Sequence, residues 1–186
     1  MTAITMHEQV VGQWFRSESR YGPLFHAELQ PAQENSGKLV TLVKQRARLL
    51  AMDEDYELVL VDGPPGIGCP VISATSGADL TLIVAEPTVA GVHDMRRVLQ
   101  TTEHFGVRAL VCINKADLYP DGAVEIETFC QEHDIELVGH IPFDKTVTEA
   151  MVQGEPVTAY RPDSPASQAL RAIWAKVLVE LEDKSK

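Results

Sequence analysis

At 186 residues the chain has the length of one α/β domain with an ample core. It is 45% hydrophobic and 23% charged, a globular composition rather than a disordered or fibrous one. Its formal net charge of -11 argues against a nucleic-acid backbone or an anionic membrane surface as the main partner.

No apolar stretch approaches the roughly 20 residues that span a bilayer. The start, Met1 to Glu8, lacks the basic lead and apolar core of a signal peptide. Cys69, Cys112 and Cys130 are widely spaced and include no C-x-x-C pair. They suit neither a disulfide framework nor a cluster site of their own, and a reducing cytoplasm fits best. The six histidines are scattered without ligand spacing.

In chain order, Val10–Phe15 and Leu24–Leu29 read as two short strands around a Tyr21-Gly22-Pro23 turn. A helix follows over about residues 38–52, with Leu39, Val43, Ala47 and Leu50 on one face and Asn35 or Ser36 as its cap. The run Leu58–Asp62 has the unbroken aliphatic character of a strand buried on both faces. A Gly/Pro loop and a short segment around Val71–Ser76 lead to strand Leu80–Ala85. Helix Val92–Phe105 carries Val92, Met95, Leu99, Thr102 and Phe105 on one side. Strand Ala109–Ile113, a helix near 121–133 and strand Ile135–Ile141 come next. Helix Thr146–Gln153 stops at Gly154, and a last helix starts at Ser164 as cap and runs from Pro165 to about Leu181.

Strands alternating with helices predict a three-layer α/β/α architecture around a mostly parallel sheet. The expectation is one domain over 1–186, with 1–35 as an irregular or short-hairpin lead-in and 36–186 as the α/β core. Ligand-competent loops then gather at the strands' C-terminal ends. Four of those ends carry suitable chemistry: Asp62, Glu86, Asn114 to Asp117, and Pro142 to Asp144.

Asp62-Gly63-Pro64-Pro65-Gly66 is the most specific of these. A carboxylate at a strand end can hold Mg²⁺, directly or through water, and orient an attacking water. The Gly66 amide can approach a γ-phosphate closely. The turn reading of Asp-Gly is the plain alternative. Asn114-Lys115-Ala116-Asp117 matches the N-K-x-D base reader of many GTPases, in which the carboxylate accepts two hydrogen bonds from guanine. Its plain alternative is a helix-entry loop capped by Asp117. At Ile141-Pro142-Phe143-Asp144, backbone groups could instead bind an adenine edge.

Asn35-Ser36-Gly37-Lys38-Leu39 has the outline of a phosphate-loop tail. Leu39 stands where Ser or Thr should ligate Mg²⁺, and position 32 is not glycine. No other Gly-Lys pair occurs, so the sequence carries no standard phosphate loop. Lys38, near a helix start, could still touch an anion.

These strings together resemble the MinD/Mrp-type P-loop ATPases, in the branch with an inserted ferredoxin-like (4Fe-4S) domain. The resemblance is carried by Gly12-Gln13-Trp14, Tyr21–Leu29, Glu34–Val40, Asp62–Pro70, Glu86-Pro87-Thr88, Ile113–Asp117 and Gly139–Asp144. It implies that Asp62 and Gly66 belong to the metal-binding switch, and that Asn114 and the Pro142–Asp144 turn hold adenine. It implies ATP and Mg²⁺ as cofactors, with any iron–sulfur cluster in a longer parent or partner protein. It also implies a nucleotide-sandwich homodimer, in which Glu86 or Asp94 approaches the partner's site.

Such proteins begin with a strand, a K-G-G-x-G-K-[TS] loop and a cysteine-rich insertion, and this chain resembles the part that follows them. The expectation is an incomplete ATPase-type domain, from a truncated, misannotated or split protein, with little catalysis alone and the missing half supplied in trans. A remnant whose sheet closes differently is the other possibility. A GTP-dependent regulator and a non-catalytic assembly module are the rival readings.

Overall fold

A computed structural model describes residues 12–30 and 36–183. The expected strand start at Val10–Val11 and the Asn35 cap lie outside the described residues. The chain forms two compact units, Met1–Ala74 and Thr75–Lys186.

In the first unit, β1 (Gly12–Ser19) and β2 (Gly22–Leu29) make an antiparallel hairpin. The Ser19↔Gly22 pair leaves Arg20-Tyr21 as the loop. Gly22 sits at φ 121, a conformation open to glycine, so the turn falls one residue earlier than the sequence suggests. Ser19 Oγ closes it, donating to the Gly22 carbonyl at 2.7 Å and accepting from Tyr21 N–H at 3.1 Å.

Helix α1 (Ser36–Asp53) packs beside this hairpin, with the Arg46 guanidinium 5.3 Å from the centre of the Trp14 ring. The predicted stripe of Leu39, Val43, Ala47 and Leu50 is half-buried. The residue of α1 that is buried is Lys44. The segment around Val71 is a helix, α2 (Cys69–Thr75).

The expected strand Leu58–Asp62 is the main correction. It is assigned to neither sheet of the described residues, and Leu60 is 79% exposed. Aliphatic composition gives a segment the tendency to be a strand, but a strand exists only when a neighbour satisfies its backbone groups. No described segment supplies that neighbour.

The second unit holds β3 (Leu80–Ala85), α3 (Val89–His104), β4 (Arg108–Asn114), α4 (Pro120–Glu132), β5 (Glu136–Ile141), α5 (Lys145–Val152), α6 (Val157–Tyr160) and α7 (Pro165–Asp183). The sheet order is β3-β4-β5, parallel throughout. Alternate residues of β4 divide between two cores. Val111 and Ile113 pack with Val92, Met95 and Leu99 of α3 and Ala123, Ile126 and Cys130 of α4. Leu110 and Cys112 pack with Ala166, Ile173 and Val177 of α7. Helices on both faces of a parallel sheet give the expected three layers. Burial pushes the Cys112 thiol up to about 11, which suits a packing residue rather than a reactive one.

Helix α3 starts three residues before the expected Val92, because Thr88 Oγ1 accepts from Gly91 N–H at 3.0 Å and caps it. Ser164 plays its expected capping part at α7, accepting from Ser167 N–H at 3.2 Å. The short α6 was not expected, since its four residues carry no periodic signal.

Buried Ser167 ties α6 to α7. Its hydroxyl lies 3.0 Å from the Val157 carbonyl and 2.7 Å from that of Arg161, and it accepts from Ser164 Oγ at 3.0 Å. Ser167→Ala should cost about 1–3 kcal/mol by leaving those carbonyls unsatisfied. Urea denaturation measures it, and an unchanged midpoint would show that the network adds nothing.

Candidate functional site

The sheet brings three of the four predicted strand ends level with one another. Ala85 pairs with Ile113, and Asn114 with Ile141, so Glu86, Asn114-Lys115 and Ile141-Pro142 emerge at one edge. The Ala116 N–H donates to the Ile141 carbonyl at 3.1 Å and carries the link one step past the strands.

Two glycines fix the first of these loops. A Cβ on Gly91, in the first turn of α3, would lie 2.2 Å from the Glu86 carbonyl oxygen. A Cβ on Gly122, in the first turn of α4, would lie 2.1 Å from that of Pro87. The Glu86-Pro87 backbone is therefore seated against two helix starts at a distance no side chain permits.

From this seat Glu86 reaches the next loop, and Lys115 Nζ donates to Glu86 Oε1 at 2.6 Å. Both side chains are more than 40% exposed, so the pair contributes little to stability and mainly sets orientation. Lys115 itself holds φ 54, a left-handed conformation costly for a non-glycine residue.

Asp117 is engaged by the neighbouring loop. Its Oδ1 accepts from Phe143 N–H at 2.7 Å, which locks the turn after β4 to the turn after β5. Asp144 caps two helices. Its Oδ1 accepts from Thr146 N–H at 2.9 Å and Thr146 Oγ1 at 2.6 Å, at the start of α5. Its Oδ2 accepts from Ala166 N–H at 3.3 Å, at the start of α7. The Thr146 hydroxyl, then the Thr146 amide, hold this carboxyl below the usual carboxylate range. Between these caps Pro142 is half-buried and Phe143 is exposed.

Asp94 lies on the exposed side of α3, with the His93 ring 3.5 Å away. Asp62 and Gly66 belong to the first unit. The Asp62 side chain is exposed and takes no hydrogen bond or ion pair from a described residue. Gly66 sits at φ 83 with open space where a Cβ would be. An unengaged carboxylate suits Mg²⁺, which takes one or two carboxylates and fills its shell with water and phosphate oxygens. Mg²⁺ there would neutralise phosphate charge.

Gly37 explains the phosphate-loop look-alike. A Cβ there would lie 3.2 Å from Ser73 Oγ and 3.4 Å from the Cys69 carbonyl, so the Gly-Lys pair marks a close helix contact. Sequence reasoning missed Gly91 and Gly122. Their signal was a glycine inside the first turn of a helix, where propensity disfavours it.

Gly91→Ala and Gly122→Ala should each destabilise the second unit by about 1–3 kcal/mol, because the clash outweighs the helix-propensity gain. Urea denaturation decides, and a stabilised variant contradicts the close seat. A second test concerns Asp144, whose depressed folded pKa means its capping stability exists above the ordinary carboxylate value of about 3.9 and is lost as pH falls below it. The stability gap between wild type and Asp144→Ala should therefore shrink on acidification. A gap constant through that range would refute the double cap.

Residues 51–178 match the family model described as "ParA: NUBPL iron-transfer P-loop NTPase". An ATP-binding protein of Methanocaldococcus jannaschii is 30% identical over 70% of this chain and 49% of its own length. The septum site-determining protein MinD of Bacillus subtilis is 29% identical over 94% of this chain and 65% of its own length. The MinD cell division protein of Aquifex aeolicus superposes with a TM-score of 0.66 at 25% identity, covering 88% of this chain and 68% of that one. The chain thus spans about half to two-thirds of these curated relatives' length. No helix among the described residues is long and apolar enough to cross a membrane. With strand-end loops in register on a parallel sheet and a family match over more than half its length, the chain belongs to the MinD/ParA-type P-loop NTPases.

Proposed function

We propose that the chain is the adenine-binding and switch part of an ATPase whose phosphate-binding part lies on another segment, and that it has little catalytic activity alone. The observation that carries this reading is the level edge formed by Glu86, Asn114 to Asp117 and Pro142 to Asp144. Asn114 and the backbone of the Pro142–Asp144 turn hold the base, and Lys115 is steered by Glu86. Asp62 takes Mg²⁺, directly or through water, and the Gly66 amide senses the γ-phosphate. The family description supports a link to iron–sulfur chemistry, with any cluster on a longer parent or a partner protein. The reading also includes a cytoplasmic protein and a homodimer in which Glu86 or Asp94 approaches the partner's site.

Adenine is favoured over guanine by one contact. Bidentate recognition of guanine uses both carboxylate oxygens of Asp117, and Oδ1 would have to share its lone pairs with the Phe143 N–H it already accepts from. A GTP-dependent regulator using Asn114 to Asp117 is the second reading, supported by the N-K-x-D string itself.

A partner segment is supported by the sheet. Among the described residues β3 pairs with β4 alone, and Val84 on it is 56% exposed. Parallel strands are ordinarily covered on both faces and flanked on both edges. A strand carrying the phosphate loop, from a longer parent or in trans, would cover that edge.

Isothermal titration of MgATP and MgGTP against the chain tests the reading. Binding of both that is weak or below what calorimetry detects, with any residual preference for ATP, and negligible hydrolysis are expected. Robust turnover abolished by Asp62→Ala would overturn this reading, and a clear GTP preference would favour the second one.

A further inference from the structure

Helix α1 has two neighbours in the first unit, the hairpin and α2. On one side the hairpin is held through Arg46 over Trp14, and through Arg16, whose guanidinium lies 3.8 Å from Glu54 just past the helix. On another side α1 lies close against α2 at Gly37, where an added Cβ would lie a tight 3.2 Å from Ser73 Oγ. Two turns further on, buried Lys44 donates from Nζ to the Ser73 carbonyl at 2.8 Å and the Ala74 carbonyl at 2.9 Å.

Those carbonyls belong to the last turn of α2, which has no intrahelical donors for them and carries the negative end of the helix dipole. An ammonium there satisfies both at once. Burial lowers the Lys44 pKa, with Arg48 adding to the effect, so these contacts compensate a real desolvation cost. α2 starts directly from the Asp62–Gly68 loop, with Val71 N–H donating to the Gly68 carbonyl at 2.9 Å. The upstream flank of that loop, Leu58–Asp62, has no strand partner among the described residues. The loop is therefore anchored at its downstream end, and α1 provides the anchor.

We propose that Lys44 is a positioning residue that fixes α2, and with it the Asp62–Gly68 loop, so that α1 links the β1–β2 hairpin to that loop. The functional weight of the link rests on the reading of Asp62 and Gly66 as a metal and phosphate switch, but the link itself does not. A partner gripping the hairpin would act on the loop through α1.

Hydrogen exchange of the whole chain, read segment by segment, separates the two. Lys44→Met keeps the aliphatic bulk and removes the donor. It should speed exchange across residues 62–75 by about tenfold or more while β4 and β5 stay as protected as in wild type. Lys44→Arg, which can still donate to two carbonyls, should restore protection. Equal loosening of every segment, failure of Lys44→Met to fold, or no rescue by arginine would make Lys44 a general packing residue and overturn the proposal. Nucleotide titration can fail with this pattern intact, so the two readings fail separately.

Discussion

A parallel strand is stable only when something lies on each of its faces and each of its edges. In this chain β4 meets that condition, with β3 and β5 beside it and a buried core on either face. Its side chains are the best buried of the molecule; Leu110, Val111 and Ile113 are wholly inaccessible. Everything legible about the candidate site follows from that strand. The loop that leaves it carries Asn114 to Asp117, and the loops leaving its two neighbours are level with it. Where the condition fails, at the outer edge of β3 and along Leu58–Asp62, apolar residues stand in solvent.

The edge is held by backbone contact more than by charge. Gly91 and Gly122 let the carbonyls of Glu86 and Pro87 lie against two helix starts. Asp117 and Asp144 then use their carboxylates on neighbouring amides and a hydroxyl. Two of the acidic groups that sequence alone would aim at a ligand thus also hold the frame. On the proposed reading, the backbone of the Pro142–Asp144 turn and the Asn114 side chain are the groups that read a base. That division fits a family in which the same fold serves MinD proteins and iron-transfer proteins. On the proposed reading that edge can stay constant while partners and cargo change.

The alternation of strands and helices from Leu80 onward was legible because each element carries its own period and its own punctuation. Thr88, Asp144 and Ser164 cap the helices they precede. Leu58–Asp62 was misread for a physical reason: composition is local, and strand pairing is not. Lys44 escaped notice because helical periodicity predicts which residues turn inward when they are apolar. It does not predict which charged residue will find two carbonyls in a core. The sequence offered Asp117 a base-reading or a capping role; the structure shows a third use, acceptance from the Phe143 amide, and no side-chain cap at the start of α4.

The central claim is that a base site persists at the ends of β4 and β5 without any phosphate loop. Amide chemical shifts of the chain titrated with adenosine, which carries no phosphate, test it most directly. The account predicts saturable shifts confined to Asn114, Phe143, Asp144 and their immediate neighbours, with guanosine causing smaller ones. No shift at those amides at millimolar adenosine, or stronger shifts with guanosine, would contradict it.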